Sequence, residues 1–388
     1  MRETAAAVAT VAREHAARVD AEGVFPAATL DAMRAAGLLG AMVPCELGGG
    51  GLPPSQVALI AAELGAGCAS SGMIFAMHQI QVACLIGHAA SAPWHREFLA
   101  RVASAGLLLA SVTSEAGVGG SLRTSRCALD TAEHGQLRIS KSATAISYGA
   151  HADAFLLTAR RGPGAPESDQ VLIVAERRQC EFEPRGRWDA LGMRGTRTEP
   201  FTVHAAIAPE QVMPAPFGDI AAASMVPASH LFWASLWLGI AADAVGRARA
   251  FLRDGARQGR PLPAGAGRLA GAVAGLQALQ ARTRALLATY DTRVVLAAAR
   301  EPAVQPPSAE MAELNGLKIA VSEGAVEAAR QALLVLGFVG YQNNSSYSVA
   351  RHLRDLLSAP LMVSNDAIRD VTARMLLSRS PTLGLGQV

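Results

Sequence analysis

The chain has 388 residues, is 51% hydrophobic and 17% charged, and carries a formal charge of +3. That length and apolar share allow a large core in two or three layers or domains, while so small a charge excludes the electrostatic footprint of a nucleic-acid-binding protein. No uninterrupted apolar run long enough to cross a bilayer is expected, because the run at 231–240 ends at Asp243, and Met1-Arg2-Glu3-Thr4 does not open a signal peptide.

The first hundred residues are alanine-rich and helical in pattern. Helices are expected over 5–21, from Phe25-Pro26-Ala27 onward, over 54–66 and over 70–86. The glycine-rich stretch Val43-Pro44-Cys45-Glu46-Leu47-Gly48-Gly49-Gly50-Gly51-Leu52 breaks this series as a loop. Met73, Phe75, Met77 and His78 share the fourth helix. A lone histidine on an apolar helix face is most often a core residue with one hydrogen bond, so a catalytic His78 competes with that plainer reading. Five cysteines, Cys45, Cys68, Cys84, Cys127 and Cys180, are odd in number and lack metal-ligand spacing; reduced thiols in a cytoplasmic protein are expected, with no metal centre.

The next stretch carries the chemistry. The apolar run Leu107-Leu108-Leu109-Ala110-Ser111-Val112 breaks into Thr113-Ser114-Glu115-Ala116-Gly117-Val118-Gly119-Gly120-Ser121. A strand entering a loop of glycines and hydroxyls exposes backbone N–H groups, which suits a polar, partly anionic ligand. Two further corners, Lys141-Ser142-Ala143-Thr144-Ala145-Ile146-Ser147-Tyr148-Gly149 and Trp188-Asp189-Ala190-Leu191-Gly192-Met193-Arg194-Gly195-Thr196, lead into Phe155-Leu156-Leu157 and Phe201-Thr202-Val203-His204. That is the pattern of antiparallel strands joined by tight loops, and any one alone is a plain hairpin corner. Gly117-Val118-Gly119-Gly120 is not a dinucleotide fingerprint, since the third glycine and the βαβ setting are missing.

A proline-spaced linker at 209–217 precedes helices over 221–257, 267–299, 308–336 and 366–377, with breaks at 258–265 and 301–307. Helices, then strands, then helices make an α+β protein.

Taken in order, these corners resemble the acyl-CoA dehydrogenase superfamily of flavoproteins. Leu191-Gly192-Met193-Arg194-Gly195 is unaltered from that family's pattern, and the loops at 113–121 and 141–149 are drifted versions of its Thr-Glu-Pro and Ile-Thr-Asn-Gly corners. The stretch 43–52, Leu336-Gly337-Phe338-Val339-Gly340-Tyr341 and Tyr347-Ser348-Val349-Ala350-Arg351-His352-Leu353-Arg354-Asp355 add matches, so the resemblance covers nearly the whole chain. It implies an N-terminal helical domain (1–106), a central antiparallel β-barrel domain (107–217) and a C-terminal four-helix bundle (218–388). It also implies FAD, held at its ring by Thr113, Ser114, Gly119, Ser121 and Ser147. Thr113 and Ser114 fall at the pyrimidine edge, Ser147 near N5, and Ala145 where a tryptophan packs on the ring. Arg257 with Gly337 and Gly340 would hold the adenine end across an interface of a homo-oligomer, dimer or tetramer. Leu334 and Phe338 depart from the glutamine and second glycine of that grip, and the phenylalanine that follows the arginine is lost.

The reaction implied by the resemblance is α,β-dehydrogenation of an acyl thioester, carried on CoA or an acyl carrier protein, with electrons passed on to an acceptor protein. A carboxylate must take the α-proton in a dry pocket. The two places where the family keeps it fall on Val363 and near Ser229, neither a base. Asp366, His230 and His78 are the remaining candidates, Asp366 competing with a role as helix N-cap. Two alternatives follow: a monooxygenase on the same scaffold using reduced flavin from a flavin reductase and O2, or a non-catalytic flavin or acyl-carrier binder. Arg123, Arg126 and Arg247 are the basic residues that would meet a phosphorylated carrier.

Overall fold

A computed structural model of the chain describes residues 2–119, 122–132, 135–298 and 303–377. Five helices come first: α1 (Arg2–Glu22), α2 (Ala27–Ala35), α3 (Pro54–Gly67), α4 (Ala69–Ala89) and α5 (Pro93–Ala105). In α1 the buried residues Ala5, Val8, Ala12, Ala16 and Val19 recur at three- and four-residue spacing and form the stripe that faces the core. Helix α5, not marked by the sequence pattern, is bounded by Pro93 at its first turn and by Gly106 in the left-handed region.

Seven strands follow: β1 (Leu109–Val112), β2 (Asp130–Thr131), β3 (Leu137–Ile146), β4 (Ala154–Arg160), β5 (Gln170–Glu176), β6 (Cys180–Pro184) and β7 (Glu199–Ile207). They form two open sheets, ordered β1-β4-β5 and β2-β3-β7-β6, instead of the closed antiparallel barrel expected. One pairing, β1 with β4, is parallel. At the edge of β1, side chains take the backbone groups of Leu109. His78 Nδ1 of α4 accepts the Leu109 N–H at 3.0 Å, and the Tyr148 hydroxyl donates to the Leu109 carbonyl at 2.9 Å. Beyond β5, the segment after β7 adds a bridge from Val212 to Ile173. Strands β4 and β5 are buried almost throughout, whereas β7 alternates buried and half-buried residues as a one-sided strand should.

The chain then passes through α6 (Phe217–Ile220) and a π-turn into the long α7 (Val226–Arg257), followed by α8 (Arg268–Ala298), α9 (Ser308–Leu336), α10 (Phe338–Tyr341), α11 (Ala350–Leu356) and α12 (Asn365–Leu377). Helices α7, α8 and α9 pack together and α12 lies on α9, which gives the four-helix bundle. Residue 299, expected to end the second of the four C-terminal helices, and 301 and 302 of the linker after it lie outside the described residues. Two helices, Ala69–Ala89 and the continuous Phe217–Arg257, are long and apolar enough to cross a membrane, contrary to the sequence expectation; 89% of each apolar window is buried inside the fold. Close packing of α7 on α3 explains Gly239, where a Cβ would strike the Ala62 carbonyl. All five cysteines are free thiols.

Candidate functional site

The strand corner is built from three segments brought together by hydroxyls. Ser114 Oγ donates to the Ala145 carbonyl at 2.8 Å and accepts the Ala145 N–H at 3.1 Å, so it acts as an extra rung between the 113–119 loop and β3. It does so where the β3–β7 register slips between Ala143 and Ile146, a bulge that re-aims the residues after it. Ser147 Oγ lies 2.9 Å from Thr198 Oγ1, which lies 2.8 Å from Thr196 Oγ1, which donates to the Met193 carbonyl at 2.8 Å. Thr113 Oγ1 is 3.3 Å from Ser111 Oγ. Gly117 and Gly119 are left-handed, and open space surrounds the position a Cβ on Gly119 would take. Ser121 lies outside the described residues.

Three of the four non-glycine residues in the left-handed region, among the described residues, sit at this corner: Tyr148, Met193 and Arg197. The fourth is Val363. Backbone strain of this kind costs on the order of 1–3 kcal/mol per residue and persists only where the surroundings over-determine it.

Beneath the loop is a charged pair that the sequence reading did not single out. Lys141 occupies an inward position of β3 between Ile139 and Ala143 and is fully buried. Its Nζ donates to the Thr158 carbonyl and hydroxyl, both at 2.8 Å, and stands 3.4 Å from Glu115 Oε2. Glu115 also accepts from Ser125 Oγ at 2.7 Å, Cys127 N–H at 2.7 Å and Arg126 N–H at 3.0 Å. Burial pushes the Glu115 carboxyl up, but the Ser125 bond, the Lys141 charge and the two N–H donors outweigh it and hold the group below its ordinary range. The loop is thus pinned from inside. A charge at an inward position of an alternating strand was the available sequence signal.

The helical side meets this corner through α11. Asp355 is buried, and one of its oxygens accepts the Met193 N–H at 2.6 Å. A Cβ on Gly192 would collide with the Arg354 carbonyl, which accounts for glycine there. Burial raises the Asp355 carboxyl to about 6, against the Met193 bond.

The three candidate bases are not brought together. His78 is fully buried, with Nε2 2.7 Å from the Leu39 carbonyl and Nδ1 accepting the Leu109 N–H. Both nitrogens are occupied by backbone, and burial lowers its pKa to about 4, so the ring is a neutral strut of the fold. His230, on α7, is buried with Nε2 3.1 Å from Asn315 Oδ1; burial lowers it to about 4 as well. Asp366 has a side chain 90% exposed and pairs with Arg369 at 3.0 Å. It does not cap α12 either; the Ser364 hydroxyl accepts the Ala367 N–H at 3.5 Å and the Ser364 carbonyl accepts the Ile368 N–H. Ser229 donates to the Met225 carbonyl within its own helix. Val363 is exposed on the turn before α12.

At the far end, the Arg257 side chain is 71% exposed and lies 3.7 Å from Asp254. Gly337 and Gly340 form the α9–α10 corner, Gly337 with φ of 60° and Gly340 buried. Arg247, one of the basic candidates for a carrier, is instead committed to Asp243 and to the carbonyls of Ser346 and Ser348. Arg126 lies against Gly117, and its N–H serves Glu115.

An isoalloxazine ring presents carbonyls and ring nitrogens along one edge and needs donors there. The hydroxyls of Thr113, Ser147 and Thr198, the left-handed glycine turn and the open space at Gly119 fit that group.

Residues 1–106 match the family description "Acyl-CoA dehydrogenase, N-terminal domain" and residues 225–369 match "Acyl-CoA dehydrogenase, C-terminal domain", together well over half of the chain. A stretch of 63 residues is 46% identical to the human mitochondrial short-chain specific acyl-CoA dehydrogenase, covering 16% of this chain and 15% of that protein. Among solved structures, the dibenzothiophene monooxygenase TdsC from Paenibacillus sp. A11-2, in a complex with FMN and indole, superposes with a TM-score of 0.83 at 23% identity over 98% of both chains. Butyryl-CoA dehydrogenase from Megasphaera elsdenii superposes with a TM-score of 0.74 at 17% identity, over 97% of this chain and 99% of that one. At these identities the two structures share the fold.

Proposed function

This chain belongs to the acyl-CoA dehydrogenase superfamily and is a flavin-dependent oxidoreductase, and we propose that it works as a monooxygenase on a small, uncharged, largely apolar substrate. The observation that carries the reading is Val363. By the resemblance it falls where the family's dehydrogenases keep a carboxylate, and Ser229, near the second such place, is spent on a helix carbonyl. Without a base to remove an α-proton, dehydrogenation has no route for that proton. When bound, a flavin, FAD being the form the family implies, would supply two electrons drawn from a partner flavin reductase; with two protons these would reduce one atom of O2 to water while the other is placed on the substrate.

The chain's own residues have defined tasks in this reading. The strand corner binds the ring through the loop at 113–119 and through Ser147. Because Ser147, Thr198 and Thr196 are linked hydroxyl to hydroxyl, Ser147 Oγ can hold a proton or yield one without a buried charge forming. The apolar turn at Leu361 and Val363 offers the substrate no ionised partner. Incubating the protein with flavin, a flavin reductase, NADH, indole as probe and isotopically labelled O2 tests the proposal. Label in the product is the expected result; unlabelled product, or none, overturns it.

A second reading, dehydrogenation of an acyl thioester on CoA or a carrier protein, is favoured by the 46% identical stretch shared with the short-chain enzyme. A homo-oligomer fits either reading. Phe338 and Tyr341, 83% and 67% exposed, form with Leu334 an apolar face around Gly337, at the corner assigned by resemblance to a neighbouring subunit's flavin.

A further inference from the structure

Of the 35 basic residues only two are lysines, Lys141 and Lys318, and both are fully buried. An arginine at either place could not give up its proton, whereas a desolvated lysine can. Lys318, in α9, uses its ammonium on the Ala359 and Val363 carbonyls and on Asn365 Oδ1. Lys141 stands beside a thiol. Its Nζ donates to the Thr158 carbonyl at 2.8 Å and is 3.4 Å from Glu115 Oε2. Cys127 Sγ lies 3.4 Å from that same carbonyl and 3.8 Å from the same Oε2, with Ser125 Oγ at 3.3 Å. A thiol and an amine that share two oxygens are neighbours, though they sit on different segments. The amine is sealed while Cys127 is half-buried, so a small solute meets the sulfur first. Burial pushes the Cys127 thiol up, against the Lys141 charge and the Ser125 bond, and pushes the Lys141 ammonium down, against Cys127 and Glu115. Both shifts favour a neutral amine, the form that attacks an oxidised sulfur.

We propose that Cys127 and Lys141 are the two halves of an oxidative cross-link, a sulfur–nitrogen bond that hydrogen peroxide closes beneath the loop at 113–119 and that releases the flavin. In the first step the thiol passes its proton to Glu115 and the sulfur attacks one peroxide oxygen. The O–O bond breaks, water leaves, and sulfur becomes a sulfenic acid, oxidised by two electrons as the peroxide is reduced by two. In the second step Lys141 Nζ bonds to sulfur while the S–O bond breaks; the departing hydroxide takes a proton from nitrogen as a second water. One thiol, one amine and one peroxide thus give a sulfenamide and two waters. Closing this bond takes the Lys141 charge away from Glu115, which is left buried without a counter-charge, and the loop loses its support. The cross-link stands on the geometry. It rests on the monooxygenase reading only for its peroxide, which O2 yields when electrons reach it without substrate, and for the ring that the loop holds.

The experiment treats the flavin-loaded full chain and its Cys127→Ser variant with hydrogen peroxide, then maps both by mass spectrometry of proteolytic peptides and follows the flavin on gel filtration. In the native protein the peptides carrying Cys127 and Lys141 are expected to be joined, two hydrogens lighter than their sum, and to separate again on treatment with dithiothreitol. Flavin is expected to leave the treated native protein and to stay with treated Cys127→Ser. Cys127 carried on to sulfinic or sulfonic acid with Lys141 unmodified overturns the cross-link, as does Cys127 left a free thiol while the exposed Cys45 is oxidised. Both results are read in the native protein and need no folded variant. A cross-link that leaves the flavin bound, or equal loss of flavin from Cys127→Ser, overturns the release. Native protein that forms the cross-link but never takes up flavin overturns the ring-binding role of the loop and with it the function proposed above, while the bond itself stands.

Discussion

The strand corner around Ser147 and the helical turn around Val363 are held by different means. At the corner, linked hydroxyls and left-handed residues are supported from beneath by a buried Glu115–Lys141 pair. At the turn, the side chain is a valine, and its backbone is gripped by a buried lysine. In both regions buried side chains fix the backbone, while neither Val363 nor Ser229 is a base. The difference teaches that the cofactor end and the reactant end of such a site are separable. The first depends on backbone donors, which many sequences supply, and the second on one side chain.

Breaking the corner has the largest expected effect. Lys141→Met leaves Glu115 buried without its counter-charge, and a loss of about 3–5 kcal/mol is expected, read by chemical denaturation together with loss of flavin on gel filtration. Glu115 retained in a stable, flavin-bound variant would show the pair to be dispensable. Gly192→Ala comes next. Its Cβ meets the Arg354 carbonyl, so about 1–3 kcal/mol of stability should go as α11 is pushed off the corner, with exchange of the Met193 amide rising in parallel.

A smaller effect comes through pH. Burial takes His78 and His230 from 6.5 to about 4, so between those values the folded chain binds fewer protons than the unfolded one. Their contribution is complete above 6.5 and is lost as pH falls toward 4. Asp355, raised from 3.8 to about 6, works in the opposite sense over part of that window. With two histidines against one aspartate, melting temperature should fall as pH drops below about 6.5, and His78→Gln should flatten the slope. A melting temperature that rises with acid would contradict this assignment of charges. Asp366→Asn should do least: at an exposed side chain paired, among the described residues, only with Arg369, stability should change by no more than about 0.5 kcal/mol and turnover should be unaffected. Loss of turnover would restore Asp366 as a base.

Much of this architecture was legible beforehand, for identifiable reasons. The long helices follow from apolar spacing and from Pro and Gly at their ends, and the corner from an unaltered Leu191-Gly192-Met193-Arg194-Gly195. The parallel β1–β4 pairing was not, since strand direction depends on a partner more than forty residues away and on His78 finishing the edge. Nor did the sequence distinguish His78 as strut from His78 as base; that turns on which backbone groups reach its two nitrogens. Neither Lys141 nor Lys318 was singled out in the sequence, although Lys141 stands at an inward position of an alternating strand. The fold shows that each is fully buried.

The central claim, that this site has lost the proton-abstracting group and keeps the ring-binding corner, is tested most directly by anaerobic titration of the flavin-loaded protein with butyryl-CoA while the flavin absorbance is followed. The account predicts an unbleached spectrum, with bleaching only when a flavin reductase and NADH are added. Stoichiometric bleaching by butyryl-CoA alone would contradict it.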